Sequence, residues 1–243
     1  IEAGLRSYDW RMQEEHNRVM IDHISDLKFA PTQVAVSNLI RENIPKSSVY
    51  LTGNTIVDAV QQNLSLAYKK SRILYKLGLK QKFILVTSHR PENVDNPQRL
   101  SSIIDGISRI AENFEHNVIF PVHPRTVKRL SEFNIKPSKK IKIIPPPGYF
   151  DFLILENAAS LIITDSGGIQ EEACILKRPC VTIRETTERP ETLNMGCNVL
   201  AGIQPENIVK YSMDMINKNI SYKNVFGDGK SAVYIMKILQ KRM

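Results

Sequence analysis

The chain has 243 residues, 42% hydrophobic and 24% charged, the composition of a globular protein of one or two domains. No apolar run approaches the roughly 20 residues of a membrane-spanning helix, and no signal peptide is visible, so a membrane is not an expected partner. The net charge is +8, but interleaved aromatics and nucleic-acid-binding motifs are both missing, so the excess reads as a solvated basic face and not as a nucleic-acid surface.

Residues 1–55 begin at a strand end, Ile1-Glu2-Ala3-Gly4, and pass through the charged stretch Arg11 to Arg18. An amphipathic helix from about Val19, a strand near Ser48–Leu51 and the connector Thr52-Gly53-Asn54-Thr55 follow. This pattern is the last third of a Rossmann-like domain without its early strands or first glycine-rich turn. Because it also opens on Ile1 and not on Met, the chain is expected to be a piece of a longer protein. Lys69, Lys70, Arg72, Lys76, Lys80 and Lys82 then crowd one stretch, and Lys136, Lys139, Lys140 and Lys142 form a second basic cluster.

From residue 83 two textures alternate. Short β-rich runs occur at 83–88, 118–122, 141–144, 161–164, 180–183 and 198–200. Between them apolar residues fall at helical spacing, as in Leu100, Ile103, Ile104, Ile107 and Ile110, and again in Phe150, Leu153, Ile154 and Ala158. Such alternation predicts βαβ crossovers and a mostly parallel sheet covered on both faces. The apolar runs end in chemistry-bearing residues: His89-Arg90, His123-Pro124-Arg125, Asp165-Ser166 and Arg184-Glu185. In open α/β sheets ligands bind beyond the carboxyl ends of the strands, so these four ends mark a candidate site. After Gly227-Asp228-Gly229 one helix is predicted to Leu239. Cys174, Cys180 and Cys197 show no CxxC spacing and read as reduced structural thiols, which suits the cytoplasm. The histidines and acids have no metal-ligand spacing, and no metal is expected.

The most informative run is LIITDSGGIQEEA, 161–173. A buried strand empties through Ser166, Gly167 and Gly168 into a helix start, the geometry that holds a phosphate on free backbone N–H groups at the positive end of the helix dipole. Glu172, about one turn further in, is placed to accept hydrogen bonds from a ribose.

Taken in order, EAGLRS (2–7), EEHNR (14–18), DHISDLKFAPT (22–32), TGNTIVDA (52–59), TSHRPEN (87–93), FPVHPR (120–125), TDSGGIQEE (164–172), ETTERPET (185–192) and GDGK-SA (227–232) resemble the non-hydrolysing UDP-N-acetylglucosamine 2-epimerases, in their archaeal-like form. The resemblance implies an α/β fold of two Rossmann-like domains of the GT-B glycosyltransferase type, facing each other across a cleft. Residues 1–55 would be the end of an incomplete first domain, 56–222 the complete UDP-binding second domain, and 223–243 a helix returning to the first. It further implies interconversion of UDP-GlcNAc and UDP-ManNAc by elimination of UDP to a 2-acetamidoglucal and re-addition, with no cofactor, in a homodimer when full length. By motif, Glu2, Glu14 and His89 match catalytic groups, Ser166, Gly167 and Gly168 the phosphate turn, and Glu172 the ribose contact. Phe152 matches a position at the uracil, Arg189 a substrate-binding arginine, and His123 a residue lining the cleft or a second regulatory sugar-nucleotide site. Gln13 stands where the family usually has Pro, and His16 where Ala, Ile or Thr is usual, both beside Glu14. The family's first-domain glycine-rich turn, basic substrate contact and catalytic aspartate have no counterpart in the 243 residues. Alternatives are an epimerase of another UDP-2-acetamido sugar, a glycosyltransferase of the same fold, and an inactive UDP-binding fragment.

Overall fold

In the second half of the chain the apolar runs assemble one sheet whose two central strands are both fully buried. The computed structural model describes residues 1–79, 82–221 and 224–242, so Lys80 of the first basic run lies outside the described residues, as do the expected domain-boundary residues Tyr222 and Lys223. Two compact units are present: Ile1–Asn63 with Thr186–Glu191 and Tyr222–Met243, and Leu64–Glu185 with Thr192–Ser221.

In the first unit, α1 (Gln13–Ile24) leads to β1 (Lys28–Ala30), α2 (Gln33–Arg41), a 3-10 turn (Lys46–Ser48) and β2 (Val49–Leu51). β1 and β2 pair in parallel, with Phe29 opposite Tyr50, and α2 is the crossover. Thr32 caps α2 by accepting from the Ala35 N–H at 3.2 Å. The small core is Ala3, Ala30, Ala35, Leu39 and Ile44. α1 starts earlier than the apolar periodicity indicates, because its first turn carries Glu14 and Glu15, which favour a helix N-terminus. The chain leaves this unit along α3 (Thr55–Lys70), crossing at Asn63.

The second unit continues with α4 (Ile73–Lys76), β3 (Phe83–Thr87), α5 (Pro91–Val94), α6 (Pro97–Asn113), β4 (Asn117–Pro121), α7 (Pro124–Glu132), β5 (Ile141–Ile144), α8 (Tyr149–Ala158), β6 (Leu161–Thr164), α9 (Gly167–Ile175) and β7 (Cys180–Thr182). α10 (Pro190–Asn194), β8 (Asn198–Leu200) and α11 (Pro205–Ile216) follow, and α12 (Ser231–Gln240) belongs to the first unit. Among the described residues the sheet has six parallel strands in the order β5-β4-β3-β6-β7-β8. Ile84, Leu85, Val86, Leu161, Ile162 and Ile163 are all 0% exposed, as a sheet covered on both faces requires. Each such side chain contributes about 1.5–3 kcal/mol of burial. α6 lays Leu100, Ile103, Ile104, Ile107 and Ile110 on this sheet, started by Pro97 and an Asn96 cap on the Arg99 N–H.

Three contacts shape the motif-bearing loops of the first unit. Gly4 has φ +84°, and a Cβ there would meet the Ala35 carbonyl oxygen at 2.2 Å, so only glycine fits. Its N–H donates to Asp22 at 2.9 Å, its carbonyl accepts from Asn38 at 2.9 Å, and Arg6 spans Asp22 and Glu42. Glu15, 0% exposed, accepts from the Ser7 N–H and hydroxyl, from the Tyr8 N–H and from Arg18. At the far end, Asp58 accepts from the Ser231 and Ala232 N–H groups, both at 3.1 Å, and caps α12.

Burial opposes the charge on Glu15, but the hydrogen bonds from Ser7, Arg18 and Tyr8 outweigh it and hold its pKa below the ordinary 4.5. A depressed folded-state pKa gives stability that is present above the unfolded value and lost as pH falls through the folded one. Glu15→Gln therefore unfolds at lower urea than wild type near neutrality, and the gap between the two closes as the pH is taken below 4.5. A gap independent of pH contradicts the ionised role of Glu15.

Candidate functional site

β3, β4 and β5 run to one side of the sheet and β6, β7 and β8 to the other, so the strand order reverses between β3 and β6. There the crossovers leave opposite faces and open a crevice beyond the strand ends. The two strands are level, with Thr87 opposite Thr164 and their hydroxyls 2.7 Å apart. The next residue of β6, Asp165, is 0% exposed and accepts from the Ser88 hydroxyl (3.0 Å), the His89 and Arg90 N–H groups (both 3.0 Å) and the Asn93 amide (3.2 Å). One carboxylate thus gathers the end of β3, the loop after it and α5. The His89 Nδ1 lies 3.3 Å from Asp165 Oδ1, and the ring is half exposed. A carboxylate at Nδ1 favours the proton on that nitrogen and leaves Nε2 for a ligand.

α9 begins immediately after Asp165. Ser166 is its N-cap residue but makes no side-chain cap bond. Gly167 and Gly168 are the first helical residues, and neither has positive φ. Glycine serves here by lacking a Cβ: one added at Gly168 meets nothing within 4 Å, so the helix start faces open space. Glu172, 8% exposed, lies one turn on. Phe152 is partly buried and Tyr149 exposed on α8, which packs on α9. Burial pushes the Tyr149 phenol up, reinforced by Glu172 and Glu156. His123 is exposed as the N-cap of α7, its Nδ1 accepting from the Arg125 N–H at 3.2 Å.

The first unit has its own cavity of about 320 Å³, lined by Glu2, Leu5, Glu14, Arg18, Asp22 and Arg189, among others. Glu2 and Glu14 are exposed into it. Glu2 has φ +60°, a left-handed conformation that costs a non-glycine residue about 1–2 kcal/mol and is held by the anchored Ala3 and Gly4. Arg189, expected within 56–222, belongs with the first unit. Segment 186–191 is tied there by the Thr32 hydroxyl donating to Glu191 and by Thr186 donating to Asp9 at 3.5 Å.

Glu2, Glu14 and Arg189 therefore line one cavity, while His89, Ser166, Gly167, Gly168, Glu172 and Phe152 share the second unit. Sequence reasoning passed over Asp165 as an organiser, although its place after an apolar run was visible. It also passed over Glu15, which reads as a solvated partner of Glu14 until Ser7 and Tyr8 are seen folding back on it. Glu156 gave no signal at all inside an apolar helix.

This strand order and helix start place the second unit among the doubly wound α/β proteins that take ligands at the switch point. Residues 1–240 match the family described as UDP-N-acetylglucosamine 2-epimerase. The chain is 51% identical over 246 aligned positions to the UDP-N-acetylglucosamine 2-epimerase of Methanocaldococcus jannaschii, covering 98% of this chain and 67% of that protein. It superposes with TM-score 0.94 on a crystal structure of the M. jannaschii UDP-GlcNAc 2-epimerase in complex with UDP-GlcNAc and UDP, at 51% identity, over 99% of this chain and 68% of that one. A UDP-2,3-diacetamido-2,3-dideoxy-D-glucuronate 2-epimerase of Pseudomonas aeruginosa is 36% identical over 99% of this chain and 67% of its own length. The chain belongs to the UDP-N-acetylglucosamine 2-epimerase family, has its GT-B type α/β fold, and spans about two thirds of the length of these relatives. Among the described residues no helix is long and apolar enough to cross a membrane.

Asp165→Ala leaves four donors without this acceptor, the Ser88 hydroxyl and Asn93 amide among them fully buried, which costs about 3 kcal/mol or more, whereas Ser88→Ala removes one donor and costs about 1 kcal/mol. Urea unfolding of the two variants compares them directly. Equal losses contradict the organising role of Asp165.

Proposed function

We propose that the protein of which these residues form a part interconverts UDP-GlcNAc and UDP-ManNAc. The observation that carries this reading is the start of α9 at the switch point, with no side-chain cap from Ser166 and with open space at the Gly168 Cβ position, in the same unit as His89 and followed by Glu172, in a chain 51% identical to a UDP-GlcNAc 2-epimerase. In this reading the first-turn N–H groups of α9 take the diphosphate, Glu172 takes the ribose hydroxyls and Phe152 lies at the uracil. His89 stands at the diphosphate with Nε2 toward it, and Arg189 and His123 are further substrate contacts.

C2 of the closed sugar ring is not activated by a carbonyl, so simple deprotonation is too costly. Elimination solves this. A base takes the C2 proton, the C2–H electron pair forms the C1–C2 double bond, and the C1–O bond breaks as UDP departs. Re-addition of the UDP oxygen to C1, with protonation of C2 on the other face, gives the epimer. Glu2 and Glu14 are the proposed proton-transfer carboxylates, and the α9 dipole together with His89 stabilises the leaving diphosphate. No nicotinamide enters this scheme. Cytoplasmic residence and a homodimer belong to the same reading. The lower identity to the diacetamido-uronate epimerase, 36% against 51%, favours the N-acetylglucosamine substrate.

In the full-length protein, Glu2→Gln and His89→Ala each lower turnover by about a hundredfold or more, while UDP affinity changes far less. Deuterium from solvent appears at C2 of product without added nicotinamide. A requirement for NAD, or product free of solvent deuterium at C2, rules the scheme out.

Gly168→Val tests the anion turn. Its Cβ enters open space, so the fold is expected to keep its thermal midpoint, while the branched side chain blocks backbone approach and weakens UDP binding at least about tenfold. Calorimetry giving unchanged UDP affinity overturns the assignment of this turn.

A further inference from the structure

α8 carries a carboxyl that the chemistry above does not use. Glu156 is 0% exposed, and among the described residues neither of its oxygens receives a hydrogen bond from a donor group. α8 packs against α4, α9 and β3. β3 has no titratable side chain, and Tyr75 and Lys76 of α4 are exposed. The groups that do face Glu156 are Glu172 from α9, within hydrogen-bond reach, Tyr149 from its own helix and the Cys180 thiol from β7. All three are acids. An ionised carboxylate here would be desolvated, without a donor, and beside a second carboxylate. Burial, with the charge of Glu172, accordingly holds the Glu156 pKa well above the ordinary range.

Two carboxyls in contact away from water share one proton, and the charge settles on the less buried of the two. That member is Glu172, 8% exposed against 0% for Glu156. Burial raises the Glu172 pKa, while the hydrogen bond from Glu156 works in the opposite direction and favours its ionised form.

We propose that Glu156 is a positioning residue of the nucleotide site, a neutral carboxylic acid that donates its proton in a hydrogen bond to Glu172 and so holds Glu172 ionised and oriented. Paired ribose hydroxyls are donors, and a carboxylate with a fixed orientation accepts both of them. A protonated or freely turning Glu172 does not. The inference rests on the reading of Glu172 as the ribose contact. It assigns to a residue deep in α8 control over how strongly the site prefers a ribonucleotide to an anion without a ribose.

Three variants of the full-length protein test it. Glu156→Gln keeps a donor that cannot ionise, Glu156→Leu removes the donor with little change of volume, and Glu172→Gln removes the acceptor charge. Affinities for UDP and for inorganic pyrophosphate are measured by calorimetry, and the carboxylic C=O stretch by infrared difference spectroscopy at neutral pH. Glu156→Gln should bind UDP within about twofold of wild type, and Glu156→Leu about tenfold more weakly, while pyrophosphate binding stays unchanged in both. The Leu variant also removes a donor from Glu172, so its thermal midpoint is measured alongside, and pyrophosphate binding at wild-type strength shows that its site is folded. The protonated-carboxyl band of wild type should vanish in both Glu156 variants. Wild-type UDP affinity in Glu156→Leu, together with weakened UDP binding in Glu172→Gln, overturns the inference alone. Persistence of the band in Glu156→Gln also overturns it. Unchanged UDP affinity in Glu172→Gln overturns the ribose reading, and with it the positioning role.

Discussion

The second unit depends on one buried carboxylate. Asp165 follows β6 at the point where the strand order reverses, and it accepts from Ser88 directly after β3, from the next two backbone N–H groups and from Asn93 of α5. An acceptor removed from water is tolerated only when its lone pairs are filled, and here they are filled by the Ser88 hydroxyl, the His89 and Arg90 N–H groups and the Asn93 amide. The cost of desolvation becomes a geometric constraint. The start of α9, the His89 ring and the entry to α5 hold their places because they meet at this side chain.

Glu15 repeats the device in the first unit on a smaller scale. It is fully buried and holds the backbone of Ser7 and Tyr8, with Arg18 balancing its charge. In both units a loop beside candidate reacting groups is tied down by a carboxylate that takes no part in the proposed reaction. Glu156 is the opposite case. Equally buried but lacking donors, it carries a proton and itself becomes a donor. The same residue type is anion or acid according to the hydrogen bonds its surroundings offer.

The first unit shows what strain and close packing do for a short motif. The glycine of EAGLR is where the chain passes against the α2 backbone, and the two residues after Glu2, Ala3 and Gly4, are held by hydrogen bonds to Phe29, Asp22 and Asn38. Glu2 sits in a left-handed conformation because Ala3 and Gly4 are pinned, so its carboxylate projects into the cavity that also receives Glu14 and Arg189.

The amino-acid sequence by itself determined the alternation of strands and helices from residue 83, because strands buried on both faces must be continuously apolar and helices on a sheet must repeat at 3.6 residues. It also exposed the strand ends, the glycine pair before a helix, and the order of motifs by which the family is recognised. It could not show β1, a strand of three residues in which buried Lys28 breaks the apolar pattern and turns its ammonium back to the Ser25 carbonyl. Nor could it place Arg189 with the first unit, since that depends on Thr32 and Asp9, which are distant in the chain. The ionisation of Glu15 and the proton on Glu156 lay beyond it as well. Periodicity reports which residues leave water, but only packing decides which donors wait there, and those donors set whether a buried acid keeps its charge.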